Sequence, residues 1–186
     1  MKKIAVILSI IAAATALVIL MLSVASAAPS APAQKVTFTK TTSNPTPSVD
    51  DIFTFTVNIS PTGEMTLPIQ VRVTDPNPDP SYLKIITSSI GGGAQYTSTI
   101  GGTGPEGIVW EGVLVPGSLP LPIAFQVQVT GIPTTALAAG HLVTNTATIA
   151  DVNEPGSLPN VPDAKAPIRI MPQRIFLPLV LKNFGG

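Results

Sequence analysis

Five stretches of this 186-residue chain alternate strictly between apolar and polar residues. Successive side chains of a strand lie on opposite faces of the sheet, so each stretch predicts a strand with one buried and one solvated face. β-Branched and aromatic residues, which strands favour, are frequent in all of them. The stretches are residues 36–39, 53–59, 69–74, 125–130 and 143–149. They predict a β protein.

Turn-forming residues separate these stretches and define weaker strands between them. Pro, Gly and Asn are concentrated at residues 44–45, 61–63, 75–80, 91–93, 101–107 and 116–117, and the weaker strands are predicted at 82–88, 94–100 and 108–113. About seven to nine short strands, spaced roughly ten residues apart, are typical of a sandwich. We therefore predict an all-β fold, an immunoglobulin-like antiparallel β-sandwich over residues 35–151. The nearest candidate for a helix in this region, residues 134–139, is too short to change that class.

The N-terminal segment predicts export. Lys2 and Lys3 precede an uncharged apolar run over residues 4–24, and Ala25 and Ala27 supply the small residues that signal peptidase requires. Residues 1–27 are therefore predicted to be a signal peptide, helical if it is retained. The apolar run is long enough to cross a bilayer, so an uncleaved anchor stays open as the alternative. Both alternatives place the protein outside the cytoplasm, secreted or on the cell surface.

Three further segments flank the predicted sandwich. Residues 28–34 form a Pro/Ala/Ser spacer, residues 152–165 are a Pro-rich linker or loop, and residues 166–186 form an apolar tail with a predicted edge strand near Ile168. Within that tail, one short piece resembles a C-terminal signature of exported proteins from certain filamentous bacteria. It comprises Phe176, Leu177, Pro178 and Leu179. The resemblance implies a sorting or attachment tail.

Composition restricts the classes of partner. The chain has no cysteine, which excludes disulfides and thiolate metal sites. Removal of residues 1–27 takes away two of its 10 basic residues, so the mature chain carries a net charge of −2. Nucleic-acid binding requires basic patches, so no nucleic-acid partner is predicted. We expect a protein or cell-envelope partner of unknown identity, with membrane contact only through an uncleaved N-terminal segment.

Five pieces of the predicted sandwich occur in an order and spacing that resemble a known family. They are residues 49–58, 71–76, 110–117, 125–129 and 143–149. Together they resemble domain-of-unknown-function family eleven, a bacterial and archaeal surface repeat with an immunoglobulin-like fold, present here as a single copy. This resemblance implies a secreted or cell-surface structural module, and it brings no catalytic residues with it.

No set of residues predicts catalysis. His141 is the one histidine of the chain and has no Ser-His-Asp context, so we predict no enzyme and no cofactor. Asp75 and Asp79 alternate with other residues as in the first half of a calcium loop, but Pro80 stands where such a loop requires glycine. Turn formation explains this segment better. A weaker calcium hypothesis adds Asp50 or Asp51 at one end of the sandwich.

The expected burial of one amide side chain leads to two hypotheses about its role. Asn145 is in phase with the apolar residues of its strand, so its side chain should point inward and need hydrogen-bond partners. Bracing a loop backbone is the ordinary use of such an amide. The alternative is an intramolecular isopeptide bond with Lys35 or Lys40 of the first strand, assisted by a buried acid. The sequence shows no acid at a clearly inward position, which weighs against this alternative.

These observations favour a non-enzymatic, exported structural or adhesive module of the cell surface. The alternative is a calcium- or carbohydrate-dependent binding module, which would need an acidic cluster or an exposed aromatic platform. Tyr82 and Tyr96 are the aromatic residues expected to be exposed.

Overall fold

The described part of the chain is an all-β sandwich. In the computed structural model, residues 35–154, 158 and 161–173 are described, and they fall within one compact unit. Nine strands follow one another: β1 Val36–Thr42, β2 Ile52–Pro61, β3 Ile69–Pro76, β4 Leu83–Ile86, β5 Gln95–Thr97, β6 Gly107–Leu114, β7 Leu121–Val129, β8 His141–Asp151 and β9 Ala164–Ile170. The predicted signal, its cleavage residues Ala25 and Ala27, the spacer over 28–34, and the sorting tail Phe176, Leu177, Pro178 and Leu179 lie outside the described residues.

The strand order is that of an immunoglobulin domain. One sheet has the order β1-β2-β7-β4 and the other β5-β6-β3-β8-β9, and all neighbouring strands are antiparallel. Without β5 and β6, the seven remaining strands reproduce the ABED and CFG sheets of the constant-type immunoglobulin fold. The β5–β6 pair extends the second sheet beside β3. The predicted fold class is therefore confirmed.

The segment after β1 crosses from one sheet to the other. Its backbone accepts hydrogen bonds from β9 and the residue that follows it, Arg169 N–H to Pro45 O and Met171 N–H to Pro47 O, both at 2.8 Å. Ser48 also forms a parallel bridge with Met171. Because this segment follows a strand of one sheet and bonds to the β9 side of the other, it closes the sandwich along the β9 edge.

The core lies between the two sheets and comes from the alternation seen in the sequence. The burial pattern of β2 alternates along the strand, and β3 and β9 behave in the same way. The largest fully buried side chains include Phe55, Phe125, Ile59, Leu83 and Ile168. Burial of a side chain of this size stabilises the folded state by about 1.5–3 kcal/mol, so the apolar face of each strand fixes its register.

Some boundaries differ from the predictions. The last strand begins at Ala164, so the last two residues of the predicted linker belong to the sandwich. The alternation of β9 is weak in the sequence because its buried positions include two alanines and its exposed positions include Pro167. The helix candidate at residues 134–139 is a 3-10 turn over Thr134–Ala136. No helix in the described ranges has the length and apolarity needed to cross a membrane.

A Gly92→Ala substitution should destabilise the sandwich by about 1–3 kcal/mol, because a non-glycine residue is strained at positive φ and its Cβ must displace a neighbour. Gly92 has φ +70°, and a Cβ there would lie 2.4 Å from the backbone oxygen of Pro122 on β7. Gly63→Ala is the matched control, since a Cβ at Gly63 meets no atom within 4 Å. Urea unfolding of both variants checks the difference, and equal stabilities would contradict this account of the turn.

Candidate functional site

A lysine and an aspartate meet inside the core. Lys40 continues the inward row of Val36 and Phe38 on β1, and Asp75 continues the inward row of Val71 and Val73 on β3. The period of two carries both charged side chains into the space between the sheets. The Lys40 ammonium and the Asp75 carboxylate form an ion pair, with side-chain exposures of 0% and 2%.

The pair has an apolar wall. Lys40 Nζ lies 5.0 Å from the ring centroid of Phe55 and 5.6 Å from that of Phe125. The rings attract the cation through their quadrupoles and exclude water from it. Desolvation by burial lowers the pKa of Lys40 to about 8, although Asp75 opposes this shift. Burial likewise raises the pKa of Asp75, which Lys40 and Asn145 partly offset.

Asn145 completes the cluster from β8. Its side chain is fully buried, as its position in the alternation predicted. The register pairs Thr74 with Thr148, and one further step places Asp75 opposite Ala147 and diagonal to Asn145. The Asn145 amide lowers the pKa of Asp75. Neither the side-chain oxygen nor the side-chain nitrogen of Asn145 has a partner at full hydrogen-bonding geometry, and Asp75 Oδ1 also lacks one.

Small residues leave room for this cluster. Asn145 pairs with Ala166 of β9. Two residues further along β8, Ala147 pairs with Ala164, and all four of these residues are buried. A lysine that reaches across from the opposite sheet needs this space, because interiors are packed densely. An unsatisfied buried amide destabilises the folded state by about 1–3 kcal/mol for each missing partner, so this cluster lowers the stability of the sandwich.

The prediction that no acid lies inward is wrong. Asp75 is 1% exposed and faces the core, whereas the sequence had placed it in a turn-forming run that begins at that residue. The strand continues to Pro76, so Asp75 is the last inward position of β3. Of the two candidate lysines, Lys40 is buried and Lys35 is exposed.

The four aspartates of the calcium hypothesis have separate roles. Asp51 Oδ2 accepts a hydrogen bond from the Ser48 backbone N–H at 2.8 Å, and Asp50 occupies a turn position with φ 72°. Asp79 Oδ2 lies 2.8 Å from His141 Nε2, while Asp75 faces Lys40 in the core. In the described part of the chain, no three His, Cys, Asp or Glu residues gather into a group that could hold a metal ion.

The aromatic residues also have local partners. Tyr96 is 38% exposed and its hydroxyl donates to Glu106 Oε2 at 2.6 Å. Tyr82 is half-buried and its ring meets His141 edge-on, with centroids 5.7 Å apart. Trp110 is half-buried and packs against the core. These contacts leave no stack of neighbouring aromatic rings on the described surface.

The turn after β3 is ordered by side-chain hydrogen bonds. Asn77 Nδ2 donates to Leu83 O and to Glu106 Oε1, each at 2.7 Å, and Asn77 Oδ1 accepts from the Asp79 N–H at 3.2 Å. Asn and Asp commonly cap turns in this way. These contacts fit the interpretation of residues 75–80 as turn chemistry from Asn77 onward.

An Asn145→Ala chain, in which Lys40 keeps its free amine, should become more stable with rising pH, because burial lowers the pKa of Lys40 in the folded state. The pKa of Lys40 in the folded chain, about 8, lies below the ordinary value of 10.5 for a lysine. The unfolded chain therefore binds more protons across this window, and the free energy of unfolding rises by about 1–3 kcal/mol from pH 8 to 10.5. Urea unfolding at both pH values measures the rise. The control is Lys40→Met in the same background, which should lack it; an equal rise in the control would contradict the assignment to Lys40.

Comparisons with known proteins find solved structures of several kinds that resemble the fold at low sequence identity. No protein-family model and no curated protein matches the sequence. Among solved structures, the CARDB domain of a Pyrococcus furiosus protein, described in complex with di-metal ions, is 12% identical, with TM-score 0.41, over 73% of this chain and 88% of that domain. A C-terminal fragment of a Streptococcus agalactiae major pilin is 8% identical, with TM-score 0.46, over 74% of this chain and 56% of the fragment. The Bacillus cereus major pilin subunit BcpA is 13% identical, with TM-score 0.44, over 74% of this chain and 40% of that subunit. At these identities and TM-scores no function passes from them to this chain.

Proposed function

We propose that this protein is a non-enzymatic structural or adhesive module that is exported to the cell surface. The observation that carries the proposal is the buried connection between the sheets. Lys40 belongs to the first strand of one sheet and Asp75 to a central strand of the other, and their side chains pair across the core. A polar contact of this kind resists sliding of one sheet over the other, which is useful to a module exposed to mechanical stress.

The surface of the sandwich also supports this function. Outward positions are rich in threonine, among them Thr37, Thr39 and Thr144, which are exposed. Charged residues are 11% of the chain, whereas about 25% is usual. A hydroxyl-covered surface of low charge offers hydrogen bonds to a partner without strong electrostatic repulsion. It can therefore pack closely against other envelope components.

Export is part of the proposal and rests on residues 1–27 of the sequence. The positive start, the apolar run and the small residues before Ala28 support it. Membership in domain-of-unknown-function family eleven stays a prediction. The calcium- or carbohydrate-dependent alternative has no specific contact in its favour among the described residues.

The experiment combines localisation with a phenotype. Cells of the source organism are separated into cytoplasm, envelope and medium, and the chain is followed with an antibody before and after protease treatment of intact cells. We expect it in the envelope or medium, accessible to protease, and we expect its deletion to weaken surface attachment or envelope integrity. A cytoplasmic, protected chain would contradict export, and an unchanged phenotype on deletion would contradict the structural or adhesive role. Attachment that is lost on chelation and restored by calcium would favour the alternative.

A further inference from the structure

We propose that Lys40 and Asn145 become joined by an intramolecular isopeptide bond between Lys40 Nζ and Asn145 Cγ, with Asp75 as the acid–base group. The bond would be a covalent modification inside the core of the sandwich, made from three residues on three different strands. It goes beyond the proposed function, since it concerns the chemistry of the core and does not depend on the location of the protein.

The first support is the composition and burial of the cluster. Such a bond needs an amine, an amide carbonyl and a group that can move protons between them. Lys40, Asn145 and Asp75 supply these three groups, with whole-residue exposures of 7%, 0% and 1%. Lys40 contacts Asp75 directly, and Asn145 lies close enough to influence the same carboxyl. The exclusion of water protects the reacting amide from competing hydrolysis.

The second support is the unsatisfied hydrogen bonding. Neither polar atom of Asn145 nor Oδ1 of Asp75 has a partner at full hydrogen-bonding geometry, although the Asn145 amide is close enough to lower the pKa of Asp75. Buried polar groups normally have well-aligned partners. Bond formation replaces the primary amide and the ammonium by one secondary amide. Its N–H can donate to the Asp75 carboxyl, and the buried charge of Lys40 disappears. The product therefore satisfies the core better than the starting groups do.

The third support is the protonation of the pair. Burial lowers the pKa of Lys40 to about 8 and raises that of Asp75. Both shifts favour transfer of a proton from the ammonium to the carboxylate. This transfer leaves Lys40 as a neutral amine, which is the nucleophilic form, and Asp75 as a neutral acid that can donate a proton.

The reaction balances without any other reactant. The neutral Lys40 amine attacks Asn145 Cγ, forming the new C–N bond, while Asp75 protonates the carbonyl oxygen. Asp75 next takes a proton from the attacking nitrogen and delivers one to the amide nitrogen. The old C–N bond breaks, the hydroxyl proton returns to the Asp75 carboxylate as the carbonyl re-forms, and ammonia leaves. The products are one secondary amide and one ammonia, and nothing is oxidised or reduced.

The bond would connect the two sheets near the ends of the domain's sequence. Lys40 is in β1 of one sheet, and Asn145 is in β8 of the other. The chain between them contains β2 to β7, so the bond closes a loop of about 105 residues. In a protein without cysteine, it would supply the cross-link that a disulfide supplies elsewhere.

The test is the intact mass of the purified full chain, followed by a tryptic map. We expect a mass about 17 Da below the value calculated from the sequence, the loss of one ammonia. Trypsin should then fail to cleave after Lys40, so that residues 36–72 appear linked to residues 85–165. In an unlinked chain the first fragment separates into residues 36–40 and 41–72. The map is needed because ring closure at another asparagine loses the same mass.

Matched variants assign the bond to the three residues. Lys40→Arg, Asn145→Ala and Asp75→Ala should each restore the full mass. The controls Lys84→Arg and Asn153→Ala change exposed residues of the same types and should keep the loss of ammonia. The intact mass and the tryptic map of the natural chain test the proposed bond even if a variant fails to fold. A folded natural chain with its full mass, cleaved after Lys40, would overturn the proposal, as would a loss of ammonia that persists in Lys40→Arg. Neither result depends on where the protein is found in the cell.

Discussion

Replacement of Asp75 by alanine should lower the free energy of unfolding by about 3–5 kcal/mol. The substitution leaves the Lys40 ammonium buried without its partner, and a buried charge that loses its partner costs about this much. The side chain of Lys40 is fully buried, so solvent offers no alternative partner. Chemical denaturation of the natural chain and the variant measures the difference. The variant also lacks the acid required for the proposed isopeptide bond, which adds to the loss.

Two further variants separate the cost of the unpaired Lys40 charge from the other effects of the substitution. Asp163→Ala removes an exposed carboxylate and should change stability by less than about 0.5 kcal/mol. The double variant Lys40→Met with Asp75→Leu removes both charges and also cannot form the bond, so it should be more stable than Asp75→Ala alone. A double variant that is no more stable would show that the unpaired charge is not the cause of the loss.

Phe55→Ala should lower the free energy of unfolding by about 3–5 kcal/mol, the usual cost of removing a large aromatic side chain from a core. Phe55 has no exposed surface. Its ring packs edge-on against Phe53 at 5.1 Å and lies 5.8 Å from Phe125, centroid to centroid. It also faces Lys40 Nζ. The cavity would therefore open beside the Lys40–Asp75 pair and admit water to it.

Leu119→Ala is the matched control for the loss of a large apolar side chain. Leu119 is 86% exposed, so its truncation should change stability by less than about 0.5 kcal/mol. Urea unfolding of both variants, with the transition followed by circular dichroism, provides the comparison. If Phe55→Ala lowers the free energy of unfolding by less than about 1 kcal/mol, the core must collapse into the space that the ring leaves, which would contradict tight packing around Phe55.

The alternation of residues was sufficient to predict the strands and the class of the fold. It works because the side-chain period of a strand is two and the inner faces must be apolar. The strands predicted from residues 53–59, 69–74 and 125–130 correspond to β2, β3 and β7. The alternation does not determine which strands pair, because pairing depends on contacts between distant residues. The order β1-β2-β7-β4, for example, joins strands that are far apart in the chain.

The cluster in the core was only half predicted, for a physical reason. Asn145 was placed inward from its phase alone, and the same phase applies to Lys40 and Asp75. The residues after Asp75, Pro76 and Asn77, are typical of turns and therefore predict a turn that begins at Asp75. Charged residues are almost never fully buried unless they are paired, so a charged residue at an inward position calls for a search for its partner. A lysine and an aspartate at inward positions of different strands were that signal.

Mechanical stretching of the full chain by its two ends tests most directly the claim that the core of this module is covalently tied. If Lys40 and Asn145 are joined, tension passes through the bond and the residues between them cannot extend. Those roughly 105 residues correspond to about 350 Å of extended chain. We expect the Asn145→Ala chain to extend about 350 Å further than the natural chain on unfolding. Equal extension of the two chains would contradict a covalent tie between Lys40 and Asn145.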